Sequence, residues 1–250
     1  MLVLITGATS GIGKSCAEVF AKNGNDLIIT GRREERLRDL KKSLEEQYKV
    51  NVHTLCFDVR EFNQVENAFA TLNADSKKID LLINNAGLAA GLSSIQEGNL
   101  SHWERMIDTN IKGLLYVTKI VSNLMIENKK GHIINIGSIA GKEVYANGNV
   151  YCATKHAVDA LNKGMRIDLL PHGIKVSAIN PGMVETEFSI VRFDGDVDRA
   201  KKVYMGMQPL SPDDIAETAY WIANRPAHVN INDIIIMPSA QASATNVVRL

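Results

Sequence analysis

The sequence predicts an α/β fold: one doubly wound, seven-stranded parallel sheet with helices on both faces. Three observations predict it. Short apolar runs rich in branched residues recur along the chain, and longer segments with apolar residues at helical spacing lie between them. No Gly/Ser/Pro linker, charge block or repeat divides residues 1–250, so one domain is expected. Near-continuous apolar strands alternating with helices belong to a sheet covered on both faces, because a strand buried on each side has no position for a solvated residue.

The strand runs fall at 2–5, 27–30, 52–56, 79–83, 133–136, 174–179 and 233–237. Each is short, apolar and bounded by turn or helix signals. Between them, 34–48, 103–128 and 149–170 carry apolar residues at helical spacing, and a further helix starts near Lys14. Residues 183–211, between Pro181-Gly182 and Ser211-Pro212, have no strand signal. A connection that long inside a compact domain is usually functional. It follows the sixth strand at the carboxyl edge, where such sheets bind ligands, so it is expected to fold over the site as a lid.

Composition narrows the function. The chain has 28 basic and 28 acidic residues, which leaves no electrostatic footprint for nucleic acid or an anionic membrane. No apolar run approaches the roughly 20 residues a membrane helix needs. The start, Leu2-Val-Leu-Ile-Thr6, lacks the basic region and long apolar stretch of a secretory signal. Cys16, Cys56 and Cys152 are odd in number, widely spaced and form no CxxC pair, so they read as reduced residues of a cytoplasmic protein without a metal site. Cys152, next to Tyr151, is the one to watch for reactivity.

The first strand runs into Thr6-Gly7-Ala-Thr9-Ser10-Gly11-Ile12-Gly13 and then a helix. Glycines let the backbone turn sharply and bring amides to a pyrophosphate, while the helix N-terminus supplies positive potential. The spacing Gly-x-x-x-Gly-x-Gly departs from the commoner fingerprint, but its place at the first strand–helix junction points to a dinucleotide-binding Rossmann fold. The end of the second strand selects the nucleotide. An NAD site usually carries an acid there; this chain has Arg32 and Arg33, with Arg36 one turn on. Guanidiniums suit a 2′-phosphate, and as mere solvated residues they would stand unfavourably at a helix N-terminus. NADP is the expected cofactor. Asp58-Val59 after the third strand and Asn84-Asn85-Ala86-Gly87 after the fourth are either cofactor contacts or turn signals.

Tyr151 and Lys155 stand at i and i+4, on one helix face. A phenol of ordinary pKa is a poor base at neutral pH, and a nearby cation favours its ionised form. Ser138 follows the fifth strand, where its hydroxyl would hold a substrate oxygen while Tyr151 moves the proton. Asn110 sits inside a long predicted helix, where its amide would hold a water that relays protons from Lys155.

Taken in order, these motifs with Pro181-Gly182 resemble the motif set of the short-chain dehydrogenase/reductase family, essentially end to end. The resemblance implies hydride transfer between NADP(H) and a carbonyl/alcohol pair. Catalysis would use Asn110, Ser138, Tyr151 and Lys155, and Lys155 would also bind the nicotinamide ribose. The cofactor would lie along Gly7, Thr9, Ser10, Gly11, Ile12, Gly13, the three arginines, Asp58, Val59, Asn85, Ala86, Gly87, Pro181, Gly182, Val184 and Thr186.

A narrower likeness extends through Gly131-His-Ile-Ile-Asn-Ile-Gly-Ser138, Val184-Glu-Thr-Glu-Phe-Ser189 and Pro226-Ala-His-Val-Asn-Ile-Asn232. It is to the NADP-dependent 3-hydroxy acid (serine or allo-threonine) dehydrogenases, and implies short 3-hydroxy acids or their semialdehydes as substrates and a homotetramer. Another reductase of the family, or a non-catalytic NADP sensor, are the rival readings. A small acid needs a cation in the lid, and Arg192 lies there among apolar residues. It either clamps a substrate carboxylate or pairs with Glu187 or Asp194 and closes the lid.

Overall fold

A computed structural model describes residues 1–250. Leu2–Ile5 (β1) lies inside the sheet because its residues are apolar on both sides. Val3 and Ile5 face one apolar layer and Leu4 the other, and Leu81, Ile83 and Leu82 of β4 (Leu81–Asn84) divide in the same way. The remaining strands are β2 (Asp26–Gly31), β3 (Val52–Cys56), β5 (His132–Ile136), β6 (Lys175–Pro181) and β7 (Asp233–Ile236). All seven pair in parallel in the order β3-β2-β1-β4-β5-β6-β7.

One layer is filled from α1 (Gly11–Lys22), α2 (Glu34–Tyr48) and α9 (Pro212–Ala223), through residues such as Phe20, Leu37 and Ile215. The other takes α3 (Phe62–Ala70), α5 (Leu114–Glu127) and α6 (Asn149–Leu169), through Phe69, Val117 and Val158. Truncating a core residue of this kind to alanine costs about 2–5 kcal/mol. The strand order reverses between β1 and β4, which opens a crevice at their carboxyl ends.

Several expected boundaries shift; β6, for example, expected over 174–179, runs over Lys175–Pro181. Ile79 is buried but precedes β4, which starts at Leu81. Met237 lies outside β7, which ends at Ile236. The single helix expected over 103–128 is divided: α4 (Leu100–Ile107) begins at an Asn99 cap, whose side chain accepts from the Ser101 amide, and passes through a π-helical turn, Asp108–Gly113, into α5. Between β6 and α9 the chain forms two short helices, α7 (Phe188–Arg192) and α8 (Val197–Lys202). A capping box at Ser211 and Asp214 then starts α9.

Candidate active site

The glycine loop is shaped by what cannot fit in it. Gly7 and Gly11 adopt φ of 67° and 52°, the left-handed region that glycine tolerates best. A Cβ on Gly13 would overlap the Gly7 carbonyl and the Asn85 amide. Asn85 fastens the loop from below: its Nδ2 donates to Thr6 O at 2.9 Å and to Gly7 O at 3.2 Å. The Asn85 and Ala86 amides both donate to Thr6 Oγ1 at 3.0 Å. Asn84, wholly within the core, donates to Thr118 Oγ1 and Asn135 Oδ1, so the four-residue turn braces β1 against β5.

A cavity of about 640 Å³ opens at this edge of the sheet. Most expected site residues line it: Gly7, Thr9, Ser10, Gly11, Ile12, Arg32, Arg33, Asp58, Val59, Asn85, Ala86, Gly87, Ser138, Tyr151, Lys155, Pro181, Gly182, Val184, Thr186 and Arg192. Gly13, Arg36 and Asn110 do not. Gly13 supports the loop from beneath, and Arg36 reaches Glu187 instead. Asn110 stands behind the wall: its Oδ1 accepts from Leu88 N at 2.8 Å, and its Nδ2 donates to Leu88 O at 2.8 Å and Thr154 Oγ1 at 3.0 Å. Both amide hydrogens are thus engaged. The side chain clasps the backbone after Gly87 and ties it to α6, and a relay water would have to donate to the second lone pair of Oδ1.

At the nucleotide end Arg33 donates from Nε and Nη2 to Thr9 Oγ1, at 3.1 and 2.7 Å, and from Nη2 to Ser10 Oγ at 2.9 Å. Arg32 lies 3.6 Å from Asp58, whose carboxylate is held mainly by Arg60 at 2.6 Å. Burial raises the Asp58 pKa, but the Arg60 hydrogen bonds outweigh it and keep the group below the ordinary carboxylate value. This cluster of cations beside the glycine loop fits a phosphorylated dinucleotide, since glycines leave room for a pyrophosphate and guanidiniums match a phosphate's oxygens.

At the other end Tyr151 is buried in a small apolar cluster with Leu88, Ala89, Met106 and Ala140, and its ring packs edge-on against Phe188 at 5.7 Å. Burial pushes its phenol above the ordinary tyrosine value and nearby Tyr145 adds to this; the Ser138 hydroxyl and Arg192 pull the other way. Lys155 is also buried, which pushes its ammonium down to about 8, and its Nζ donates to Ile136 O at 3.0 Å. The Ser138 hydroxyl caps the turn Ile139–Gly141 by accepting from Ala140 N at 3.0 Å.

Arg192 is the only cation of α7, and neither acid weighed as its partner holds it. Glu187 pairs with Arg33 and Arg36, and Asp194 with His102 and Arg105. The guanidinium lies 5.5 Å from the Tyr145 ring centroid and 5.7 Å from that of Tyr151. Its Nε donates to Gly91 O at 3.3 Å, while Nη2 is buried with no partner. Arg192 is thus paired with neither acid, and what fastens it is Gly91, whose amide also donates to the Arg192 carbonyl at 2.8 Å.

Sequence reasoning missed Tyr145, Tyr204, Gln241 and Arg249, which also line the cavity. Gln241 accepts from Met183 N at 2.8 Å, and Arg249 donates to Val203 O at 3.0 Å, so the tail ties down the start of the 183–211 segment and the stretch just after α8. No local motif marks these positions; only Tyr145, one turn before α6, carried a signal, as an aromatic hydroxyl close to Tyr151 in sequence. Cys152, watched for reactivity, is buried, unlike accessible reactive thiols.

A family model for short chain dehydrogenase matches residues 1–195. The NADP-dependent 3-hydroxy acid dehydrogenase YdfG of Salmonella typhi is 49% identical over 245 residues, covering 98% of this chain and 97% of that one. Sulfoacetaldehyde reductase 2 of Chromohalobacter salexigens is 43% identical over 242 residues, covering 96% and 95%. The closed form of a serine dehydrogenase complexed with NADP+ superposes with a TM-score of 0.93 at 44% identity, each chain covered in full. The chain therefore belongs to the short-chain dehydrogenase family.

Proposed function

We propose that this protein is an NADP-dependent oxidoreductase that moves a hydride between NADP(H) and a short 3-hydroxy acid, such as serine, allo-threonine or 3-hydroxypropionate, or the matching semialdehyde. The observation that carries the substrate class is Arg192: a partly unbonded guanidinium in the cavity, beside the tyrosine that would handle the hydroxyl proton. Such a group needs an anion, and a planar carboxylate matches its fork of donors. The relatives named for 3-hydroxy acids and serine support this, and the one named for sulfoacetaldehyde extends the anion to a sulfonate.

Arg33, Arg32, Thr9 and Ser10 would hold the adenosine end of NADP, with Asp58 and Val59 beside the adenine. Asn85–Gly87, Pro181, Gly182, Val184 and Thr186 would enclose the nicotinamide half. Bound there, the nicotinamide supplies or accepts the hydride. Tyr151 gives its phenolic proton to the carbonyl oxygen during reduction and takes it back during oxidation. Ser138 steadies that oxygen with its hydroxyl. Lys155, one turn on along the same helix, would favour the phenolate by its charge, and Ser138 and Arg192 already oppose the upward push of burial on Tyr151. Asn110 fixes the Leu88 backbone and α6, so that Tyr151 and Lys155 keep their places. The 183–211 segment serves as the lid.

The cytoplasm is the proposed compartment, where three unpaired cysteines stay reduced. A homotetramer is the proposed assembly. β7 is an edge strand whose Ile235 is 53% exposed, and α9 beside it exposes Trp221; an apolar edge of this kind is usually covered. The deciding experiment is NADPH oxidation with malonic semialdehyde, compared with an uncharged aldehyde of similar size. Turnover of both at equal kcat/KM would favour a general carbonyl reductase of the family, and turnover of neither a non-catalytic NADP-binding protein.

A further inference from the structure

Glu187 stands at the start of α7, far in sequence from the arginines after β2, yet it touches two of them. Arg33 Nη1 donates to Glu187 Oε2 at 3.2 Å, and Arg36 Nη1 donates to Oε1 and Oε2 at 3.1 and 3.2 Å. Partial burial pushes the Glu187 carboxyl up, but the hydrogen bonds from Arg33 and Arg36 outweigh it, so the group stays ionised well below neutral pH. The neighbouring Thr186 packs on the glycine loop, where a Cβ on Gly11 would meet it at 3.3 Å. One residue pair thus joins the lid to the strand end that chooses the nucleotide.

A carboxylate and a phosphate are bound by the same planar fork of N–H donors. Arg33 gives Nε and Nη2 to Thr9 and Ser10, and its remaining nitrogen, Nη1, is already engaged by Glu187. An incoming 2′-phosphate must take that donor from the carboxylate, and the two anions repel each other while they share it.

We propose that Glu187 is a built-in competitor of the 2′-phosphate, a residue that sets both the affinity for NADP(H) and the rate of its release. Its carboxylate neutralises Arg33 and Arg36 until a 2′-phosphate displaces it, and it returns to them as the cofactor leaves. A dinucleotide without that phosphate has nothing to displace it with, so the lid stays fastened to the end of β2. This rests on the reading that Arg33 receives the 2′-phosphate.

The test measures Kd for NADPH and NADH, and the NADPH release rate by stopped flow, in the wild type, Glu187→Gln and Arg33→Ala. Exposed ion pairs are individually weak, so Glu187→Gln should tighten NADPH about three- to tenfold and slow its release by a similar factor. NADH should stay within about twofold, since no phosphate competes. Unchanged or weaker NADPH binding overturns the proposal, because Glu187 then only orders the arginines. Equal tightening of both nucleotides also overturns it, because the pair then merely restricts the cleft. Arg33→Ala reads the underlying assignment separately: a loss confined to NADPH upholds it whatever Glu187→Gln does. An equal loss for both nucleotides removes the assignment and the proposal with it.

Discussion

The guanidinium of Arg192 lies 5.7 Å from the centroid of the Tyr151 ring, and one of its buried nitrogens has no hydrogen-bond partner. Buried polar groups are almost always bonded, and an exception in a cavity wall points to a partner the protein does not itself contain. The same charge also opposes the rise in the Tyr151 pKa, so one cation touches both recognition and chemistry.

Arg192→Leu should therefore raise KM for serine or 3-hydroxypropionate by more than about tenfold, the loss of a charged hydrogen-bonded pair. A neutral alcohol of similar size should be spared. Steady-state kinetics on the two substrates decides it: equal damage to both would show that Arg192 shapes the lid and does not read the acid.

Tyr151→Phe preserves the ring and its edge-on packing against Phe188 while removing the only atom proposed to move a proton. NADPH binding should remain within about threefold, below half the free energy of one charged hydrogen bond, while turnover falls to background. Fluorescence titration and a single-turnover assay measure the two halves. Near-normal kcat in the mutant would remove Tyr151 from the chemistry.

Arg33 and Arg32 are unequal in the structure. Arg33 joins Thr9, Ser10 and Glu187, whereas Arg32 has a single loose contact to Asp58 at 3.6 Å. Arg33→Ala should weaken NADPH by about ten- to a hundredfold, the worth of one or two charged hydrogen bonds, and Arg32→Ala by less. NADH affinity should barely change in either. Matched losses for both nucleotides would make the arginines structural.

His132 gives a pH dependence unconnected with catalysis. Its ring is buried in β5, with Nε2 2.8 Å from Ser177 Oγ, and burial, helped by Lys175, pushes its pKa down to about 3. The unfolded chain binds the proton first, so stability is present above the ordinary value of 6.5 and is lost as pH falls through the window toward 3. The full loss would be roughly 3–5 kcal/mol. Urea unfolding at pH 7 and pH 5 should show wild type losing stability and His132→Gln losing less. A mutant with the same acid sensitivity would assign the effect to other groups.

Much of the fold was legible because both faces of the sheet are buried. The runs at 2–5 and 52–56 coincide with β1 and β3 residue for residue; β1 is apolar and buried, whereas β3, at the sheet edge, buries only Val52 and Leu55 and exposes His53, Thr54 and Cys56. Ile79 misled, because a buried residue just ahead of a strand looks like one inside it. The cofactor loop and the Tyr151/Lys155 pair were legible through local spacing. What Arg192 touches was not, because its two candidate acids are taken by His102, Arg105, Arg33 and Arg36, contacts that only the folded chain brings together. Nor did any pattern distinguish the Asp108–Gly113 turn from the helices around it, since one wide turn hardly disturbs the periodicity of its neighbours.

That wide turn has a consequence for chain length. A π-helical turn accommodates one residue more than an α-helical turn over the same path, so the stretch from α4 to α5 is one amino acid too long to be a regular helix. Removing any one residue between Asp108 and Gly113 would let the helix heal, with better backbone geometry than before. The helices on either side would keep their orientation, because the residue removed is the one in excess over that path, and the displacement would fall on the side chains of the turn itself. The Asn110 amide would leave Leu88 and Thr154, while the apolar face of α5 kept its grip on the sheet. The resulting protein would fold and fail. Among related sequences, a one-residue gap at this point is therefore a mark of lost activity that no substitution at Tyr151 or Lys155 would reveal.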